Sequence, residues 1–175
     1  MANVPKNGRR AELDQIIQGI NALNLQANHG PVQSGAIGNG GTAGRLRTTA
    51  AITFAVAGRK YVKASTDDLW NLSAQTDTIA AQRRAFWLYL DASGTATIAA
   101  GTNAGNTDAL ALAALPAIDL TKSVIGVFVA GPLTNFDDAG GLAAQGTIYD
   151  GIPSAALTRY NKNVQAPLPI VSTGP

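Results

Sequence analysis

Apolar residues recur at helical spacing only near the start of the chain, within residues 9–27. Spacings of three and four place these residues on one face of a helix. We call this face the helix stripe, and it consists of Leu13, Ile16, Ile17, Ile20 and Leu23. Glycine and proline at positions 30 and 31 predict where the helix ends. We therefore predict an amphipathic helix within an N-terminal unit of residues 1–29.

The next stretch, residues 30–45, is rich in glycine. Such a segment buries little apolar surface, so we expect a flexible linker there unless a partner orders it. At the other end of the chain, residues 152–175 contain several prolines. That composition favours an extended C-terminal arm over a core element.

Residues 46–151 have the pattern of β-strands. Apolar and smaller residues alternate over 52–56, and 60–63 can return as the second arm of a hairpin. Residues 86–90 and 124–129 are strong strand candidates, while 147–149 is a weaker one. A bulge or a close backbone approach is expected at Gly126, and the Ala-Leu run at 109–115 leaves helix and strand open.

Short strands separated by turns, with no alternation of strands and helices, are typical of a β-sandwich or barrel. The predicted fold is therefore mainly β. It comprises a compact module of residues 46–151, an N-terminal helix, a glycine-rich linker and a C-terminal arm.

The strand at residues 86–90 is apolar on both faces, and Trp87 and Tyr89 share one of them. A strand in a single sheet would expose one polar face to water. Either a second layer or another subunit must therefore cover this strand. We predict that Trp87 and Tyr89 belong, with the helix stripe, to an oligomer interface.

No catalytic arrangement is visible in the sequence. Cysteine is absent, and the single histidine, His29, lies in the run that ends the helix. No serine-nucleophile or phosphate-loop motif occurs. The pairs Asp67-Asp68 and Asp137-Asp138 lack the further oxygen ligands that calcium sites need. We predict a protein that is not an enzyme, with no metal site and no cofactor.

The charge pattern argues against a nucleic-acid-coating protein, since 13 basic and 11 acidic side chains give a net charge of +2. Short basic clusters at 45–47, 59–60 and 83–84 can meet phosphate or an acidic protein surface. No stretch approaches the roughly 18 apolar residues of a membrane helix, so we expect no membrane partner.

The helix stripe has the spacing of two heptads, with Leu13 and Ile20 at one core position and Ile16 and Leu23 at the other. Two heptads, interrupted by Gly19, do not make a stable isolated helix. The stripe must therefore pack against another surface, either the chain's own β module or other copies of the chain. The glycine-rich linker favours other copies, because it lets the helix reach away from the module.

Three segments together resemble small virion proteins encoded among the structural genes of tailed bacteriophages, some of them capsid decoration (cement) or head-fibre proteins. They are residues 52–73, 86–98 and the pair 115–116 with 124–127, all within 48–130. The resemblance implies a repeated, trimeric β module on the capsid surface, assembled in the host cytoplasm. The implied partners are further copies of the chain and the major capsid protein.

Two other functions stay open. One is a tail-fibre or baseplate component that holds host-surface glycan through Trp70, Tyr61 or loop carboxylates. The other is a hydrolase whose carboxylate pair, involving Asp67 or Asp137, meets only in the fold. The head or tail location and the number of subunits do not follow from the sequence.

Overall fold

The computed structural model describes residues 13, 15–17, 19–20, 23–24, 27–33, 36–137 and 141–151. Over these residues the fold is mainly β, with three antiparallel sheets and few short helices, as the sequence predicted in its coarse form. The strands are β1 Pro31–Gln33, β2 Ile37–Asn39, β3 Arg45–Thr48, β4 Ile52–Val56, β5 Arg59–Lys63, β6 Trp70–Asn71, β7 Arg84–Leu90, β8 Ala96–Ala100, β9 Ser123–Ala130 and β10 Gly146–Asp150. The short helix is Asp108–Ala113, and a 3₁₀ turn spans Leu142–Ala144.

The central sheet has the strand order β10-β9-β7-β8. Leu88 lies opposite Gly126 and Tyr89 opposite Val124, so Ile125 is an extra residue and forms a bulge. A side-chain Cβ at Gly126 would come within 2.5 Å of the Tyr149 carbonyl oxygen. The sequence predicted a bulge or a close backbone approach at Gly126. The close approach is confirmed there, and the bulge lies at the neighbouring Ile125.

Two three-stranded sheets, β1-β4-β5 and β2-β3-β6, complete the described fold. The predicted hairpin is confirmed as β4 and β5, which are joined by Ala57 and Gly58 with φ of 49° and 75°. Positive φ at both turn residues is the geometry that matches the twist of a two-residue hairpin.

The main core lies on one face of β7, where Phe86 and Leu88 are fully buried. The two smaller sheets contribute Phe54 and Trp70 to this core. Phe86 also contacts the edge of the Phe136 ring at 5.5 Å between centroids. The small sheets therefore cover one face of the central sheet.

The opposite face of β7 carries Trp87 and Tyr89, each 1% exposed. The short helix and the segment after it cover these side chains with Ala111, Leu112 and Leu115. The prediction that Trp87 and Tyr89 form an intermolecular interface is wrong for this reason. The run at 109–115, for which the sequence left helix and strand open, begins as a helix capped by Thr107. The chain itself therefore supplies the second layer.

The stretch predicted to be a glycine-rich linker, residues 30–45, contains paired strands instead. β1 pairs with β4, and β2 pairs with β3. The glycines of this stretch do not prevent pairing, because β1 contains none and β2 contains only Gly38. The predicted division into domains at this point stays a prediction.

Every described residue between positions 13 and 29 is helical, and the N-terminal helix as a whole stays a prediction. The predicted lead of residues 1–8 and the predicted arm of residues 152–175 lie outside the described residues.

Candidate functional site

The helix stripe is a row of exposed apolar side chains on the described chain. Its core heptad positions are widely exposed: Leu13 56%, Ile16 59%, Ile20 57% and Leu23 69%. Ile17, beside them, is 36% exposed. Large apolar side chains in a contiguous row on the surface are typical of an interaction site.

The β strands do not cover this part of the helix. All described residues from 13 to 24 are exposed, and nothing lies within 4 Å of a Cβ built at Gly19. Packing of the stripe on the chain's own β module, the alternative that the sequence left open, is therefore not the arrangement found. The assignment of the stripe to an interface stays a prediction.

The helix is fastened to the β strands at its C-terminal end. The Ala55 N–H donates to the Gly30 carbonyl at 3.0 Å, and the Gly58 N–H donates to the Asn28 carbonyl at 3.3 Å. His29, the last described helical residue, is half-buried at this junction. The contacts attach the helix to the β4–β5 hairpin and leave its apolar row open to a partner.

The carboxylates of Asp67 and Asp68 join two loops. Asp67 accepts the Gly41 N–H at 3.0 Å, while Asp68 accepts the Thr42 N–H at 2.9 Å and the Thr42 hydroxyl. These bonds, chiefly from the Thr42 hydroxyl, lower the pKa of Asp68. A carboxylate held ionised by several donors fits a structural role better than general-acid catalysis.

The other acidic pair gives less information. The Asp137 N–H donates to the Asn135 side chain at 2.9 Å, as in a polar turn. Asp138 lies outside the described residues.

The arginines at 83 and 84, predicted as a phosphate-binding or partner-binding cluster, take part in separate internal contacts. Arg83 pairs with Asp108 at 2.7 Å, and the Tyr149 hydroxyl donates to the other oxygen of Asp108 at 2.7 Å. This bond is the main cause that raises the pKa of Tyr149. Arg84 donates to the Gly101 carbonyl at 2.8 Å.

The Arg83–Asp108–Tyr149 network ties the start of the short helix to β10 and to the residue before β7. Sequence reasoning missed it. The three residues are far apart in the chain, and none of them belongs to a recognisable motif.

The aromatic residues proposed to hold glycan are mostly enclosed. Trp70 is 1% exposed, and its ring N–H donates to the Tyr89 carbonyl at 3.1 Å. Tyr61 is half-buried and stacks on Phe54 with 5.7 Å between ring centroids. Trp70 is therefore not available for stacking on a ligand.

Two open grooves lie on the surface. One, of about 490 Å³, is lined by Arg83 and by the residues around Pro132 and Gln145. The other, of about 470 Å³, lies beside Leu110 and Pro116 and has no titratable side chain in its lining. Neither groove brings together an acid and a base, and no three potential metal ligands cluster among the described residues.

Comparison with known proteins found no matching family model, no matching curated protein and no matching solved structure. Within the described part of the chain, no helix has the length and apolar character needed to cross a membrane.

Proposed function

We propose that this chain is a non-enzymatic structural protein of a tailed-phage virion, and that it decorates or cements the capsid surface as a homotrimer. The observation that carries the proposal is the helix stripe, which is exposed on a helix whose hydrogen bonds to the β strands, among the described residues, lie at its C-terminal end. The resemblance of residues 48–130 to small phage virion proteins supplies the setting.

The stripe can drive association of moderate strength. Full burial of a leucine or isoleucine side chain contributes about 1.5–3 kcal/mol. The four core positions are 56–69% exposed, so covering them contributes about 4–7 kcal/mol per helix. Association itself costs an estimated 4–15 kcal/mol, so free trimers should form only at raised concentration.

Attachment to a shell would overcome this weak self-association. Several copies held on one lattice bind together at a high effective concentration. A cement protein is such a case, since each copy contacts both its neighbours and the shell. We also propose that the fold is a layered β-sandwich. Its N-terminal helix and C-terminal arm are the segments that contact the neighbours and the shell.

The competing assignment, a tail or baseplate component that binds glycan, has less support. Its best aromatic candidate, Trp70, is buried. The carboxylates at 67 and 68 are occupied by backbone and hydroxyl donors. No observation on the described residues favours this assignment over the first.

Imaging of intact particles tests the proposal. Antibody against the chain, or a cryo-EM reconstruction of purified virions, should locate it in a regular array on the head. Its presence on the tail alone, or its absence from virions, would overturn the proposal.

A further inference from the structure

The edge strand β5 combines outward-facing backbone groups with three positively charged side chains. β5 is the outer strand of the β1-β4-β5 sheet. Val56 and Arg59 flank a two-residue turn, so they exchange backbone hydrogen bonds with each other. Hydrogen-bonded pairs alternate along an antiparallel ladder, so Tyr61 also directs its backbone groups towards β4. Lys60 and Val62 therefore direct their backbone N–H and C=O groups away from β4.

These outward groups have no backbone partner among the described residues. A free strand edge of this kind can accept another strand, and many peptide-binding domains work in this way. The backbone groups provide affinity, and alternate side chains provide specificity.

The side chains of β5 include three cations, Arg59, Lys60 and Lys63, which we call the basic edge. None of them forms an ion pair with a described acidic residue. The acids next along the chain, Asp67 and Asp68, are bound to the loop at Gly41 and Thr42. The basic edge is therefore free to attract an acidic partner.

The two faces of β5 differ. Tyr61 points to the face that packs on Phe54. Lys60 and Val62 share the other face by the alternation of a strand, and Val62 is 72% exposed. A complementary strand would place an acidic residue opposite Lys60 and an apolar residue two positions away, opposite Val62.

We propose that the free edge of β5 binds an extended acidic segment of another protein, which joins the sheet as an added strand. The chain's own termini do not have the required charge. Residues 152–175 contain Arg159 and Lys162 with no acid, and residues 1–12 contain three basic residues with only Glu12. This inference does not rest on the proposed virion function.

The test uses the full chain and a short fluorescent peptide of alternating glutamate and valine, followed by anisotropy. Val62→Pro removes the outward N–H without removing a bond to β4, and Val62→Thr is the matched control that keeps it. We expect Val62→Pro to weaken binding by about tenfold, and Val62→Thr by less than about twofold. Amide NMR shifts should centre on Lys60 and Val62.

A second variant keeps the test decisive if Val62→Pro unfolds. Arg59→Gln combined with Lys60→Gln should weaken peptide binding and reduce its dependence on salt. The absence of peptide binding would overturn the inference, as would equal binding by Val62→Pro in its folded form. Tighter binding of oligothymidylate than of the peptide, unaffected by Val62→Pro, would indicate a nucleic-acid surface instead.

Helix-stripe variants separate the two proposals. Ile16→Gln combined with Ile20→Gln should leave peptide binding unchanged. Loss of peptide binding in that variant would contradict the independence of the β5 site.

Discussion

Titration of Tyr89 tests whether the chain itself covers the second face of β7. Tyr89 is 1% exposed, and its hydroxyl oxygen accepts the Asp119 N–H at 3.2 Å. Burial is the main cause that raises the pKa of Tyr89 from 10.0 to about 12. The folded state therefore holds the phenolic proton more tightly than the unfolded state.

The sign and size of the effect follow from this difference in pKa. The contribution to stability is complete below pH 10 and is lost as pH rises towards 12. Two pKa units correspond to about 2.7 kcal/mol, of which about 2 kcal/mol should be lost by pH 11.5. Tyr89→Phe lacks this titration, but it leaves the Asp119 N–H without its partner, which costs about 0.5–1.5 kcal/mol.

We therefore expect the wild type to be more stable than Tyr89→Phe at pH 8 and less stable at pH 11.5. Urea unfolding followed by tryptophan fluorescence at several pH values measures the two free energies. The difference should not depend on protein concentration. Parallel curves for the two proteins over this pH range would refute the reasoning, and so would a difference that grows with concentration, since that would indicate cover by a partner.

Two glycine substitutions test other parts of the structure. Gly44→Ala should reduce the free energy of unfolding by about 2–4 kcal/mol, because φ is +69° and a Cβ would lie 2.2 Å from the Phe136 carbonyl oxygen. Gly38→Ala is the control, because a Cβ there would meet a side chain at 3.3 Å and no backbone atom within 4 Å. Equal melting temperatures for Gly44→Ala and Gly38→Ala would contradict this account. Gly19→Ala should stabilise the N-terminal helix by about 0.5–1 kcal/mol, because a Cβ there meets nothing within 4 Å. Circular dichroism at 222 nm should show more helix, and an unchanged signal would indicate that residue 19 is not helical in solution.

The parts of the fold that the sequence predicted are those with local signals. Alternating residues and a turn glycine identified the β4–β5 hairpin. Gly126, within an apolar strand, indicated a bulge or a close backbone approach, and the bulge lies beside it at Ile125.

The parts that the sequence did not predict depend on contacts between distant residues. β1 and β2 are too short for alternation to be detected. The cover over Trp87 comes from a six-residue helix whose alanines and leucines have no amphipathic period. The joining of Asp67 and Asp68 to the loop at 41–42 spans 26 residues, so no spacing rule could identify it.

The central claim, that the helix stripe is an assembly surface, is tested most directly by analytical ultracentrifugation of the full chain. We expect the mass to rise with concentration to three times that of one chain. Ile16→Gln combined with Ile20→Gln should remain monomeric, while Leu110→Gln, which removes a 52% exposed leucine outside the stripe, should assemble as the wild type does. A wild type that stays monomeric at every concentration, or a double variant that assembles equally well, would contradict the claim.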